Sequence, residues 1–161
     1  MTGKHAEASD DRAFLLVVDE SEELHVALYF ACCRAKSAGC RVALLYIMEP
    51  GGFHHWMAVE DLMEKEHRDA AEERLKELSA KVLEWTGSMP VLYIREGSVR
   101  DELLKLIDEE PSISGLILGA GTGAKGPGPL VTAMGKMSGR LRVPLTIVPG
   151  SLDEEQIKRL T

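Results

Sequence analysis

Residues 115–150 read GLILGAGTGAKGPGPLVTAMGKMSGRLRVPLTIVPG, and the architecture of the chain follows from this stretch. The apolar run 116–118 is too short for a helix and predicts a buried strand. The glycine-rich run 119–128 predicts a loop, because glycine accepts backbone angles that other residues avoid. Apolar residues then recur at helical spacing, and the apolar run 145–148 predicts a second strand. Strand, glycine-rich turn, helix and strand form a βαβ unit.

The turn of such a unit has two interpretations. Backbone amides at the start of a helix commonly bind phosphate groups, and glycines let a ligand approach them closely. The same glycines are also typical of a surface loop that only needs to bend. The glycines alone do not separate these interpretations. The sequence-based candidates for ligand contact around the loop are Gly119, Gly121, Gly123, Lys125, Gly126, Gly128 and Thr132.

Composition excludes several classes of protein. The chain has 161 residues and a net charge of -7, which argues against nucleic acid or an anionic membrane as the main partner. No apolar run approaches the roughly 20 residues that span a bilayer, and residues 1–11 lack the apolar core of a signal peptide. We therefore expect a soluble, cytoplasmic protein with one domain over residues 13–150, a frayed segment 1–12 and a short, helical tail 151–161.

The rest of the chain repeats the alternation of strand and helix. Apolar runs at 14–18, 42–48 and 91–94 predict three further buried strands. Between them lie helical patterns, the first with Ser21 as its expected cap and the third capped by Ser98. The long second helix is expected to pack through Val59, Leu62, Met63, Ala70, Leu75, Leu78, Val82 and Trp85. Five strands and four helices in this order predict a three-layer sandwich around a parallel sheet.

Ligands bind such sheets beyond the carboxyl ends of the strands. Val18 and Asp19 end the first predicted strand, and Gly119 ends the fourth. If the first strand is central, these residues flank one crevice. Ile47, near the end of the second strand, would form its apolar wall.

Catalytic and metal sites find little support in the sequence. Cys32, Cys33 and Cys40 form no CxxC pair, and the first two fall within a helix, so we expect small buried side chains rather than reactive thiols. No nucleophile elbow is present. His54, His55 and Trp56 follow a Pro-Gly-Gly break, and we interpret them as a lid or dimer surface rather than as metal ligands.

The chain resembles the universal stress protein family. The resemblance rests on five segments whose order and spacing agree with the family. They are VVDES (17–21), ALLYIMEP (43–50), IREGSVRDELLKLI (94–107), LILGAG (116–121) and VPLTIVPG (143–150). It implies the adenine nucleotide alpha hydrolase-like fold, with strand order 3-2-1-4-5, and a homodimer formed through the last strand. The expected dimer residues are Leu145, Thr146, Ile147 and Val148.

One branch of the family binds ATP through Gly-x2-Gly-x9-Gly-Ser/Thr after strand four. By position, Asp19, Ile47 and Gly119 match the aspartate, the adenine wall and the first glycine of that branch. The rest of the signature does not match this chain, because the place of the second glycine falls on Thr122 and the place of the final Gly-Ser/Thr pair falls on Thr132-Ala133. Lys125 is the cation inside the loop that could offset phosphate charge, together with Mg²⁺.

Two functions follow from these observations. The first is a non-catalytic, dimeric stress-response protein that acts through protein partners, with a small-ligand site in the glycine-rich loop. The second is a stress protein that binds ATP or AMP with Mg²⁺ and uses it as a switch or hydrolyses it weakly. A flavin-binding subunit on the same general fold is a third alternative, which a colourless purified protein would exclude.

Overall fold

The structure is a computed structural model that describes the backbone of residues 11–50 and 57–161, and the side chains of residues 11–50 and 62–161. Strands and helices alternate along these residues. In chain order they are β1 (Ala13–Val18), α1 (Glu23–Ala38), β2 (Arg41–Met48), α2 (Met57–Thr86), β3 (Val91–Glu96), α3 (Val99–Glu109), β4 (Ile113–Ala120), α4 (Pro129–Met137), β5 (Leu145–Pro149) and α5 (Glu154–Leu160). A short 3₁₀ turn, Ser138–Arg140, follows α4.

The five strands form one sheet in the order β3-β2-β1-β4-β5, and the four strand pairs are all parallel. The central strand is β1, in which Leu16 pairs with Leu44 on one side and Ile117 on the other. Both the predicted strand order and the three-layer architecture are therefore confirmed.

Alternating side chains of β1 supply both cores. Leu16 and Val18 pack with α1 and α2, whereas Leu15 and Val17 pack with α3 and α4. Because successive side chains of a strand point to opposite faces, a strand covered on both faces must be apolar throughout. This explains the unbroken apolar run, in which burial of one Leu side chain contributes about 1.5–3 kcal/mol.

An arginine outside the expected motifs ties two of these elements together. The guanidinium of Arg142 donates hydrogen bonds to the carbonyl oxygens of Ile107, Glu110 and Ile113, at 2.5–3.2 Å. These carbonyls lie at the end of α3 and the start of β4, where a cation also interacts favourably with the helix dipole. Arg142 thus fixes the α3–β4 corner.

Two expectations about α1 and α2 are wrong. Ser21 does not cap α1; the residue before the helix is Glu22, which makes no capping hydrogen bond with its side chain. In α2, Leu75, Leu78 and Val82 are buried as predicted, but Leu62 and Met63 are 58% and 45% exposed, and Ala70 is also exposed. Val59 lies outside the described side chains.

The exposure of residues 62–70 of α2 has a geometric cause. A helix of 30 residues is about 45 Å long, whereas a strand of eight residues spans only about 26 Å. The helix is therefore longer than the sheet that it covers. Apolar periodicity continues along the whole helix, but the sheet can cover only part of it.

Candidate functional site

The predicted crevice residues come to one edge of the sheet. Strands β2, β1 and β4 are neighbours and run parallel, so Ile47, Asp19 and Gly119 lie at the same edge. Val18 is buried, Ile47 is half-buried and the Asp19 side chain is exposed. These residues therefore lie at the ends of adjacent strands, and their contact with a ligand stays a prediction.

Asp19 makes a local turn with Ser21. Its Oδ1 atom accepts hydrogen bonds from the backbone N–H of Ser21, at 2.9 Å, and from the Ser21 hydroxyl, at 2.5 Å. Short polar side chains often bond the backbone two residues on, and that arrangement competes with helix capping. This turn explains why Ser21 does not cap α1, and it holds the Asp19 carboxylate at the mouth of the crevice.

Gly119 is needed for packing against α1. A Cβ atom there would lie 2.8 Å from the carbonyl oxygen of Glu23 and 3.2 Å from the Cβ of Ala27. At Gly150, just after β5, a Cβ would lie 2.7 Å from the carbonyl oxygen of Ala120 and 2.9 Å from the Cβ of Glu23. The close approach at Gly119, predicted for a ligand, is in fact made by the first turn of α1.

Glu23 also brings a carboxylate into the crevice. Its Cγ lies 3.1 Å from the position of a Cβ on Gly119, and its Oε1 lies 3.4 Å from that position on Gly121. A phosphate at these two glycines would therefore lie beside a negative charge, which opposes its binding. Glu23 was not among the sequence-based candidates, because it approaches the loop from a segment that is far away in the sequence.

Within the loop, two backbone amides that were expected to face a ligand instead donate hydrogen bonds to loop carbonyls. The N–H of Gly121 donates to the carbonyl of Pro127 at 3.0 Å, and the N–H of Gly126 donates to the carbonyl of Gly123 at 3.1 Å. Gly126 takes a φ of 81°, which reverses the chain and allows this closure. The loop is thus folded on itself.

The start of α4 is also internally bonded. Both the backbone N–H and the hydroxyl of Thr132 donate to the carbonyl of Gly128, each at 3.1 Å. Gly128 is the residue before the helix and offers no side chain as a cap, and Pro129 follows it within the first turn. Since proline lacks an N–H, α4 begins with fewer amides than a phosphate site of the usual kind.

Basic side chains gather on the other side of the loop, in a cavity of about 550 Å³ between α3 and α4. The residues that line the cavity include Arg100, Lys125, Thr132 and Lys136. Lys125 and Thr132 were among the sequence-based candidates, whereas Lys136 was not. Arg100 was missed, although it follows the predicted helix cap Ser98 by two residues and α3 begins at the same edge of the sheet.

The comparisons with known proteins give one family. The model of the universal stress protein family matches residues 12–122, more than half of the chain. The chain belongs to the universal stress protein family. The match ends within the glycine-rich loop, so it includes Gly119 but not Lys125 or Thr132. A comparison with curated protein sequences gave no match.

Solved structures of universal stress proteins share this fold. The universal stress protein UspA from Lactobacillus plantarum is 15% identical, with a TM-score of 0.69, and the match covers 85% of this chain and 97% of that one. A universal stress protein from Archaeoglobus fulgidus in complex with dAMP is 17% identical, with a TM-score of 0.57 and coverage of 85% and 97%. A universal stress protein in complex with cAMP is 16% identical, with a TM-score of 0.57 and coverage of 89% and 100%.

The thiols of this universal stress protein behave as expected where they are buried. Cys32 lies fully buried in the core, and burial raises the pKa of its thiol to about 12, so it stays protonated at neutral pH. Cys33 and Cys40 are half-buried.

His25 is exposed and contacts the ring of Trp85 edge-on.

Among the described residues, no three His, Cys, Asp or Glu side chains lie close enough together to hold a metal ion. His54, His55 and Trp56 lie outside the described residues. Within the described part, no helix is long and apolar enough to cross a membrane.

Proposed function

We propose that this universal stress protein is a non-catalytic stress-response regulator that acts as a homodimer through protein partners. The observation that carries the proposal is the closed glycine-rich loop. Its Gly121 and Gly126 amides are already bonded to loop carbonyls, and Glu23 adds a carboxylate to the crevice. A triphosphate would have to break these hydrogen bonds of the loop amides and overcome the repulsion from the Glu23 carboxylate. Protein partners are therefore the better candidates for the main interaction.

The homodimer is expected at the exposed edge of the sheet. In β5, Thr146 and Ile147 are exposed, Leu145 is half-buried and Val148 is buried. Ile147 is 43% exposed although it is large and apolar. An unpaired edge strand with an exposed apolar side chain is prone to pair with another chain, and a second copy of β5 would cover both.

Native mass spectrometry of protein purified without added nucleotide tests this proposal. We expect a dimer mass without the added mass of a nucleotide. The variant Ile147→Asp should shift the mass to the monomer, because it places a carboxylate in the proposed interface. Leu92→Asp is the matched control, since Leu92 is 44% exposed on the opposite edge strand, β3. A monomeric wild-type protein, or a nucleotide retained by each chain, would contradict the proposal.

Binding of an adenine nucleotide is the second candidate function. Two solved universal stress proteins are complexes with dAMP and cAMP, and here Asp19, Ile47 and Gly119 lie at one edge of the sheet. The residues of the crevice do not suit a triphosphate, for the reasons given above. A monophosphate such as AMP, with or without Mg²⁺, would meet less repulsion. Calorimetric titration with ATP, ADP and AMP, each with Mg²⁺, separates the cases, and no heat with any of them would exclude this function and the weak ATPase activity with it.

A further inference from the structure

A groove lies between α2 and β3, at the edge of the sheet opposite to β5. This α2–β3 groove has a volume of about 660 Å³. Its apolar lining residues are Leu75, Ala80, Leu83, Met89, Leu92 and Ile94. Among the described residues, seven large apolar side chains are exposed, and three of them, Leu83, Met89 and Leu92, line this groove. Such a concentration of exposed apolar surface is typical of an interaction site.

The strand beside the groove has a free edge. β3 is the last strand on its side of the sheet, and it pairs with β2 along residues 91–96. Just before the strand, the carbonyl of Met89 already accepts a hydrogen bond from Arg41, at 2.9 Å. Within the described part of the chain, no strand pairs with the outer edge of residues 91–96. Alternate N–H and C=O groups of this edge can therefore pair with a further strand.

The length of the groove matches a short extended peptide. At rises of about 1.5 Å per helical residue and about 3.3 Å per strand residue, the walls formed by residues 72–83 and 89–94 are both about 17 Å long. An extended segment of about six residues spans that distance. A helix in the groove would use its backbone groups in its own hydrogen bonds and leave the edge of β3 unpaired. An extended occupant satisfies both the apolar walls and the strand edge.

Two charged side chains lie at one end of the groove. Glu72 and Lys76 line it from successive turns of α2, and both are exposed. Neither forms an ion pair with another side chain in the described part of the chain. They are about 6 Å apart along the helix axis, close to the spacing of about 6.6 Å between every second residue of a strand. The pair thus complements a basic and an acidic side chain at alternate positions of an extended partner.

We propose that a segment of a protein partner adds to β3 as a strand and places its alternate side chains in the α2–β3 groove. The segment carries a basic and an acidic side chain next to Glu72 and Lys76, and apolar side chains next to Leu83 and Leu92. Because α2 connects two parallel strands and runs opposite to them, the charged end of the groove is the end near Ile94. The proposal names the chemistry of the partner in the proposed function and rests on that function.

Fluorescence anisotropy of the full chain with labelled synthetic peptides tests the proposal. The probe peptide has lysine, glutamate, valine and leucine at alternate positions with threonine between them, and a second peptide has the reverse order. We expect one of the two to bind saturably, with one peptide per chain, and the other to bind more weakly, since the charges of the groove lie at one end. If neither bound at millimolar concentration, the proposal would be overturned.

Methylation of alternate backbone nitrogens of the peptide tests the addition of a strand. Methyl groups on the nitrogens that face β3 should weaken binding at least tenfold, the effect of losing about two hydrogen bonds. Methyl groups on the intervening nitrogens should leave the affinity nearly unchanged, because these N–H groups point away from the sheet. Equal affinities of the two methylated peptides would show that the occupant does not pair with β3, and would overturn the proposal.

Substitutions in α2 place the peptide in the groove. Leu83→Asp should weaken binding about tenfold, because it removes an apolar wall, and Leu62→Asp is the matched control, since Leu62 is an exposed leucine of α2 that does not line the groove. Circular dichroism verifies that both variants are folded. Lys76→Glu should also weaken binding, and a peptide with lysine in place of its glutamate should recover the affinity for this variant. Equal losses in Leu83→Asp and Leu62→Asp, or no recovery, would contradict the proposed placement.

Native mass spectrometry of the same variants separates this proposal from the proposed function. We expect Leu83→Asp to keep the dimer mass of the wild type, because the homodimer is expected at β5. A shift of Leu83→Asp to the monomer mass would show that a second copy of the chain occupies the groove, and would overturn the proposal. A wild-type dimer that binds neither peptide would overturn the groove as a partner site and leave the homodimer intact.

Discussion

Two groups of glycines in this protein look alike in the sequence but serve different purposes. Gly119 and Gly150, at the sheet edge, have backbone or side-chain atoms within 3 Å of the place of a Cβ. Gly126 and Gly128, in the loop, have open space around them but take φ angles of 81° and 111°. At Gly119 and Gly150 a side chain has no room, whereas at Gly126 and Gly128 a side chain has room but the backbone conformation disfavours it.

The difference shows what a glycine-rich loop means in this universal stress protein. Glycines at the sheet edge let α1 approach β4 and β5, and this approach brings Glu23 into the crevice. Glycines in the loop let it fold on its own carbonyls. Both effects reduce the access of a phosphate to the crevice, although glycines in such a loop are usually interpreted as ligand contacts.

The largest expected loss of stability is at Gly150, which follows the end of β5. Gly150→Ala would place a Cβ 2.7 Å from the carbonyl oxygen of Ala120, which is backbone and cannot rotate away. We expect a loss of about 3 kcal/mol in the free energy of unfolding, the upper range for overpacking. Urea unfolding monitored by circular dichroism measures it. Gly139→Ala is the control, because no atom lies within 4 Å of that Cβ position, and it should change stability little.

Removal of the crevice carboxylate tests its effect on ligands. Glu23→Gln keeps the size of the side chain but removes the charge beside Gly121, and we expect it to tighten AMP binding at the crevice about tenfold. Calorimetry measures the affinity. Glu22→Gln is the control, since Glu22 is an exposed neighbour with the same charge. An equal gain in both variants would mean that only net charge matters, which contradicts a specific role for Glu23.

A smaller effect is expected at a loop glycine. Gly126→Ala meets no atom within 4 Å, but its φ of 81° strains any residue with a Cβ, so we expect a loss of about 1 kcal/mol. Gly126→Asn should lose less, because asparagine tolerates the left-handed region. Thermal unfolding of the two variants checks this order. If Asn were no better than Ala, conformation would not be the reason for Gly126.

The smallest change in stability is expected at Gly123, where neither a close neighbour nor a positive φ disfavours a side chain. No atom lies within 4 Å of its Cβ position, and its φ lies outside the positive range. We expect Gly123→Ala to change the free energy of unfolding by less than about 0.5 kcal/mol, as is usual for surface substitutions. A loss comparable to that of Gly126→Ala, measured in the same unfolding experiment, would show that the loop depends on flexibility at this position.

Much of the fold could be predicted from local patterns. The strand β1 was visible because Leu15, Leu16 and Val17 are apolar in succession, which is typical of a strand covered on both faces. The cap of α3 was visible because Ser98 precedes Asp101 by three residues, and the Ser98 side chain does accept a hydrogen bond from the Asp101 N–H. Such signals arise between neighbours in the sequence.

Only some residues of the candidate site could be predicted from the sequence. Asp19 and Gly119 were located because strand ends in a parallel sheet share one edge. The contacts of Glu23 with three glycines, and the entry of Arg100 into the cavity of Lys125, involve segments that are far apart in the sequence. No periodicity indicates such contacts.

The sequence by itself determined the alternation of strands and helices, the burial of the sheet on both faces and the position of the glycine-rich loop. These features depend on side-chain polarity and backbone preference, which each residue carries with it. Only the tertiary structure decided which side of the loop is acidic and which is basic, and which loop amides are already bonded. Those properties depend on distances between separate segments, and the packing of α1, α3 and α4 on the sheet sets these distances.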